Sequence, residues 1–189
     1  MSESLARVPC TIVTGFLGAG KTTLFNALTR AGVYAADQLF ATLDTTTRKV
    51  HTGSGAGVVL SDTVGFIRHL PHTLVAAFRA TLEETVHADL LLHVVDASSA
   101  EREAQIAAVN EVLKEIGADG IPQVLVYNKI DLTAFEPRVE SDPYGKIQRV
   151  WISAKNADGG SQGLDLLRNS LGQIAEAALR PEAGPALVP

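Results

Sequence analysis

The sequence predicts an α/β fold with a mostly parallel six-stranded sheet, one antiparallel edge strand and helices on both faces. Short apolar runs alternate with segments of helical period, which is typical of parallel strands joined by helices. Residues 90–95 are almost wholly apolar, as expected of a central strand covered on both faces. The strand-like runs on either side of 53–57 are too close for a parallel crossover, so this pair must be antiparallel.

The elements follow one another in a regular order. Strands are predicted from apolar or β-branched runs at 10–13, 48–52, 58–61, 90–95, 124–127 and 150–152. Helices are predicted from apolar residues spaced three or four apart at 24–28, 74–86, 106–116 and 164–178. Residues 134–145 contain two prolines and no clear period, which indicates a surface loop.

Length and composition indicate one soluble domain. We expect a flexible N-terminus at 1–8, the domain at 9–179 and a disordered tail at 180–189. A net charge of −5 argues against direct DNA binding. The single cysteine, Cys10, excludes an internal disulfide and fits a reducing compartment. Without a visible signal peptide or a long apolar run, we expect a cytoplasmic protein with no membrane partner.

The segment 15–23 matches the phosphate-binding loop pattern G-x-x-x-x-G-K-[ST] between a predicted strand and a predicted helix. Its glycines let backbone N–H groups surround a polyphosphate, and the helix N-terminus adds further donors. Lys21 is expected to contact the β- and γ-phosphates, and the Thr22 hydroxyl to ligate Mg²⁺. The alternative is a glycine-rich turn that binds no ligand. The predicted nucleotide-binding residues of the loop are Gly15, Phe16, Leu17, Gly18, Ala19, Gly20, Lys21, Thr22 and Thr23.

A second motif, D-x-x-G, follows the third predicted strand at residues 62–65. Asp62 is expected to hold Mg²⁺ through water, and the Gly65 amide to sense the γ-phosphate. The motif is weak alone, but its position after an apolar run and downstream of a phosphate loop supports it. We predict a second switch segment from 62 to about 72.

A third motif, N-K-x-D, follows the fifth predicted strand and contains Asn128, Lys129 and Asp131. A carboxylate at Asp131 can accept hydrogen bonds from the N1–H and exocyclic amine of guanine, whereas adenine would leave it unpaired at a cost of about 1.5–3 kcal/mol. The stem of Lys129 can lie along the plane of the base. The alternative is a charged turn at a strand end.

After the sixth predicted strand come Ser153, Ala154 and Lys155, whose backbone amides are predicted to contact guanine O6. Four elements in this order, each at a predicted strand end, indicate a P-loop NTPase G domain that binds GTP and GDP. The alternative is an α/β domain that binds no nucleotide.

A first switch segment is predicted at 40–44, within a polar stretch of little periodicity. Phe40 is placed beside the nucleotide, and the Thr42 hydroxyl is expected to complete the Mg²⁺ shell when a γ-phosphate is present. The threonines at 45–47 are competing candidates, and a plain surface threonine is also left open. Lys21, Thr42 and Gly65 are the residues to which we assign catalytic roles.

Phe66 follows D-x-x-G, where Ras-like enzymes place a glutamine that orients the attacking water. Phenylalanine cannot hydrogen-bond a water, so we expect slow intrinsic hydrolysis unless a partner such as the ribosome completes the site. The competing hypotheses are a catalytically idle GTP/GDP-binding module and, less favoured because of N-K-x-D, a phosphotransferase.

From Leu24 to about Leu171 the chain resembles the GTPase domain of the HflX family, a branch of the Obg-HflX translation-factor-related GTPases. The segments that carry the resemblance are 33–44, 62–68, 76–84 and 128–132. The resemblance implies GTP hydrolysis, binding to the large ribosomal subunit and a role in splitting stalled ribosomes.

Two departures from the HflX pattern stand out. The family carries an amino-terminal domain with a helical linker, which this chain lacks, so we do not expect ribosome splitting by this chain alone. The family also has asparagine where this chain has Gly18, and in related GTPases that asparagine can help to hold K⁺. It has serine where this chain has Thr22. The loop 14–23 instead resembles CobW-type metallochaperone GTPases, and an engineered hybrid of the two is an alternative. The histidines form no metal-spaced cluster that would support a metallochaperone function.

Overall fold

The computed structural model describes residues 9–30, 46–52, 57–63, 85–155 and 159–179. In these ranges the chain forms one mixed sheet flanked by helices. The strands are β1 (Cys10–Gly15), β2 (Thr46–His51), β3 (Gly57–Asp62), β4 (Leu90–Asp96), β5 (Gln123–Asn128), β6 (Arg138–Ser141) and β7 (Ile147–Trp151). The helices are α1 (Lys21–Thr29), α2 (Arg102–Glu115) and α3 (Leu164–Leu179), with short 3₁₀ turns at Thr85–His87 and Ile130–Leu132.

The sheet has the strand order β2-β3-β1-β4-β5-β7-β6. The five inner strands run parallel to one another, whereas β2 runs antiparallel to β3 and β6 antiparallel to β7. The predicted α/β class and the reversed β2 edge are confirmed. The predicted count of six strands was wrong, because the described chain has seven and both edges of the sheet are reversed.

The additional strand, β6, lies inside the segment 134–145 that we predicted as a surface loop. It has only four residues, and two of them, Arg138 and Glu140, are charged. Its residues alternate between half-buried and exposed, and an edge strand is paired on one side only, so its sequence need not show an apolar run. Pairing with β7 in the register Val139↔Val150 holds it in place.

Helices cover both faces of the sheet, as predicted. On one face, apolar residues of α1 and α3 pack on inward-facing residues of the inner strands, among them Leu24, Leu167, Val13, Leu92 and Val126. On the other face, Val109 and Leu113 of α2 pack on Ile12 and Leu91. The helix predicted at 74–86 falls largely on 64–84, outside the described residues.

The parallel strands bring their carboxyl ends to one edge of the sheet. Val13 of β1 is in register with Asp62, the last residue of β3. Asp96 ends β4 opposite Asn128, which ends β5. Side chains that follow β1, β3, β4 and β5 are therefore neighbours, although up to about a hundred residues separate them along the chain.

Candidate functional site

The loop between β1 and α1 has a backbone that requires glycine at two positions. Gly15 has a φ of 142°, and a Cβ there would collide with the backbone carbonyl of Val94 on β4. Gly20 has a φ of 87°, and a Cβ there would lie 2.6 Å from the side-chain nitrogen of Asn128. Gly18 also has a positive φ, of 81°, but space for a Cβ is open. Gly15 and Gly20 are thus the two positions at which this loop lies too close to its neighbours for a side chain.

Lys21 lies at the start of α1 and is 6% exposed. Its ammonium group donates a 3.0 Å hydrogen bond to the backbone carbonyl of Phe16, across the loop. The first turn of α1 contributes no acidic side chain of its own. An ammonium group and a helix N-terminus together suit a polyphosphate.

Thr22 and Asp62, two predicted Mg²⁺ ligands, are in contact. The Thr22 hydroxyl donates a 2.8 Å hydrogen bond to the Asp62 carboxylate, which is fully buried. A hydroxyl and a carboxylate are the oxygen donors that Mg²⁺ prefers, so this pair fits the ion. The part of the chain that the structure describes holds no cluster of three or more His, Cys, Asp and Glu side chains placed to share a metal. Thr42, the third predicted ligand, and also Phe40 and Gly65, lie outside the described residues.

Asn128 joins the phosphate loop to the loop that follows β7. Its side-chain nitrogen donates to the Ala19 carbonyl at 3.0 Å, and its side-chain oxygen accepts from the Ala154 amide at 2.9 Å. The residue is 2% exposed. The side-chain amide of Asn128 therefore holds two loops together. The two loop residues that it contacts, Ala19 and Ala154, are 135 positions apart in the chain.

The carboxylate of Asp131 is exposed at the same edge of the sheet. One of its oxygens accepts a hydrogen bond from the hydroxyl of Ser153, which is fully buried. Ser153 is itself fixed by a pair of backbone hydrogen bonds with Gln162. The carboxylate is thus oriented by a rigid neighbour. Lys155 is exposed. Contact of the backbone amides of residues 153–155 with guanine O6 stays a prediction.

Asp96 is a site residue that the sequence reasoning missed. Its carboxylate accepts a 2.8 Å hydrogen bond from the ammonium group of Lys129 and two more from the amide and hydroxyl of Ser98, at 2.9 and 2.6 Å. Burial opposes its ionisation, but these hydrogen bonds outweigh burial and lower the pKa of Asp96 below its ordinary value. The available signal was its position, since Asp96 ends an apolar strand as Asp62 does.

His93 is a buried histidine in the middle of the sheet. It is 1% exposed and in register with Thr14 of β1. Burial lowers its pKa from 6.5 to about 4, against the raising effect of a hydrogen bond with Gln123, and the charge of Lys21 lowers it further. The imidazole is therefore neutral at physiological pH.

Comparison with known proteins agrees with this geometry. Residues 11–129 match the family model described as "50S ribosome-binding GTPase". The chain is 53% identical to GTPase HflX of Escherichia coli over 187 residues, 97% of this chain and 44% of that protein. It is 48% identical to GTPase HflX of Caldanaerobacter subterraneus subsp. tengcongensis over 87% of this chain and 37% of that protein.

Among solved structures, a GTP-binding protein from the archaeon Sulfolobus solfataricus in complex with GDP is similar, with a TM-score of 0.68 and 28% identity. The match covers 90% of this chain and 53% of that one. The fold and the residues at the strand ends thus define a GTP-binding P-loop GTPase domain. The chain belongs to the HflX family of the 50S ribosome-binding GTPases.

The chain spans less than half the length of these HflX relatives. The comparisons give no support for the CobW-type resemblance of the phosphate loop, which stays a prediction from that loop alone. Within the described ranges, no helix has the length and apolarity needed to cross a bilayer.

Proposed function

We propose that this domain binds GTP and GDP together with Mg²⁺ and hydrolyses GTP slowly to GDP and phosphate. The observation that carries the proposal is the pair of hydrogen bonds made by Asn128 to Ala19 and Ala154. They fix the spacing between the phosphate loop and the loop that orients Asp131. A ligand that spans the two would place a polyphosphate against Lys21 and the loop amides and a base with adjacent N–H donors against Asp131.

The phosphate end is bound by cationic and backbone groups. Lys21 supplies an ammonium charge, and the amides of residues 15–23 and the first turn of α1 supply N–H donors. Thr22 and Asp62 would hold Mg²⁺, which neutralises phosphate charge when it is bound. Thr42 and Gly65 are proposed to complete the site around the γ-phosphate.

Slow hydrolysis follows from the residue after D-x-x-G. Phe66 has no group that can orient a water, so charge stabilisation by Lys21, the loop amides and Mg²⁺ is left without a positioned nucleophile. We expect the isolated domain to turn over well below about 1 s⁻¹. A turnover of about 1 s⁻¹ or faster by the purified domain would contradict this account of Phe66.

The large ribosomal subunit is the proposed partner that stimulates hydrolysis. The support is the printed description of the matched family and the HflX resemblance. A cytoplasmic location is part of the same proposal. Phosphate release measured with and without 50S subunits separates this hydrolase from a catalytically idle GTP/GDP-binding module, which would release no phosphate in either case.

The test of base recognition is Asp131→Asn. We expect GDP affinity to fall at least tenfold, because the amide cannot accept both guanine donors, while XDP, with a carbonyl in place of the amine, binds better than to the wild type. The matched control is Asp165→Asn on α3, whose side chain is 93% exposed. If ADP competes as well as GDP, or if Asp131→Asn keeps the guanine preference, the proposal is wrong.

A further inference from the structure

The stem of Lys129 lies beside the phosphate loop. Lys129 has a φ of 66°, a left-handed conformation that side-chain-bearing residues rarely adopt. Its Cε atom lies 3.9 Å from the position that a Cβ on Gly20 would occupy. The end of the lysine's methylene chain thus lies beside Gly20 of the phosphate loop.

The far end of this side chain is held by Asp96. The ammonium group lies 2.8 Å from one carboxylate oxygen, and the other oxygen is fixed by the amide and hydroxyl of Ser98. The anchor is rigid because β4 and β5 are paired up to Asp96↔Asn128, the position just before Lys129. The side chains of Lys129 and Asp96 are 33% and 21% exposed, so the pair is partly shielded from water.

We propose that Asp96 is a positioning residue for guanine-nucleotide binding: it holds the Lys129 ammonium group so that the lysine stem forms a preformed surface for the guanine base. Asp96 does not touch the nucleotide. The inference rests on the proposed function, in which Lys129 lies along the base. Its physical basis is entropy, because a lysine stem that is already ordered loses little rotamer freedom when the base binds against it.

The variant that tests this is Asp96→Asn, which keeps the shape and an acceptor for Ser98 but removes the charge that holds Lys129. With fluorescently labelled GDP, we expect dissociation to be about five- to tenfold faster and association to be little changed. Asp96→Glu, which keeps the charge, should recover part of the residence time. A carboxylate with only a structural role would show no such preference for Glu over Asn.

A double-mutant cycle with Lys129→Met isolates the coupling. Methionine keeps an apolar stem but has no ammonium group, so Asp96→Asn should have no further effect on GDP dissociation in that background. Equal effects of Asp96→Asn in both backgrounds would overturn the inference, as would wild-type dissociation in the single variant. Asp165→Asn on α3 is the control for a general loss of charge.

Failure of the inference can be distinguished from failure of the proposed function. If Lys129→Met leaves GDP dissociation unchanged, holding the ammonium group does not matter for the base and the inference is wrong, whereas the proposed function fails only if Asp131→Asn keeps the guanine preference. If Lys129→Met accelerates dissociation but Asp96→Asn does not, only the role of Asp96 is wrong. The thermal midpoint of nucleotide-free protein, measured for each variant, detects a general loss of folding, which would accelerate dissociation without the coupling.

Discussion

The hydroxyl of Thr22 lies 2.8 Å from a carboxylate oxygen of Asp62, although forty positions separate the two residues in the chain. The contact exists because α1 begins within the phosphate loop, at Lys21, while β3 ends beside β1 at the same edge of the sheet. Thr63, which follows Asp62, fixes this strand end by donating a 2.8 Å hydrogen bond to the Val13 carbonyl. The fold itself thus brings two hard oxygen donors into contact.

Thr22→Val should remove most of the effect of Mg²⁺ on nucleotide binding. Valine has nearly the shape of threonine but no oxygen, so the Mg²⁺ concentration needed to slow GDP dissociation should rise about tenfold or more. Thr22→Ser is the matched control, because it keeps the hydroxyl. The measurement is release of labelled GDP at a series of Mg²⁺ concentrations and in EDTA. A wild-type Mg²⁺ response in Thr22→Val would show that this hydroxyl is not a ligand.

The glycines at 18 and 20 should respond differently to the same substitution. At Gly18 the space is open and asparagine tolerates a left-handed backbone, so Gly18→Asn should cost less than about 1 kcal/mol. Gly20→Asn should cost about 3 kcal/mol or more and abolish GDP binding, because its Cβ would collide with the Asn128 side chain. Chemical denaturation and GDP titration of both variants check this, and equal costs would contradict the loop geometry.

Much of this site could be predicted because its key residues are contiguous. The phosphate loop combines the turn, the cation and the helix start in nine residues, so its chemistry is evident without knowing which strands are neighbours. The apolar run of β4 predicted a central strand for a similar reason, since burial on both faces leaves no polar positions before Asp96.

Other features depend on which strands lie side by side, and no local pattern encodes that. The contact between Asp96 and Lys129 exists only because β4 pairs with β5. Asn128 was predicted as a nucleotide-binding residue of the N-K-x-D motif, but its link to Ala19 and Ala154 depends on the positions of two distant loops. β6 was missed because its stabilisation comes from charged and aromatic partners on β7 rather than from an apolar face.

The hydrogen bonds of Glu140 predict that this residue stabilises the edge strand β6. Its carboxylate accepts hydrogen bonds from Arg138 at 2.8 Å, Trp151 at 3.0 Å and Arg149 at 3.3 Å. Glu140→Ala should lower the free energy of unfolding by about 1 kcal/mol, a modest value because the side chain is one-third exposed. Trp151 is the only tryptophan, so its fluorescence should also change.

The control for Glu140 is Glu136→Ala, at an exposed position just before the strand. It removes the same charge from the same segment without removing the partner of the Trp151 indole. If the two variants have the same stability and the same emission spectrum, Glu140 does not hold β6 against β7.

His93 should make the protein less stable as the pH falls. Its pKa of about 4 lies below the ordinary 6.5, so between these values the unfolded chain takes up a proton that the native chain excludes. The free energy of unfolding should therefore fall from pH 6.5 towards pH 4, by up to about 3 kcal/mol from this residue. His93→Gln, which cannot titrate, should show a shallower decline in urea denaturation at pH 7.5, 6 and 5. His51→Gln, at an exposed position of β2, is the control, and parallel curves for His93→Gln and wild type would contradict the assignment.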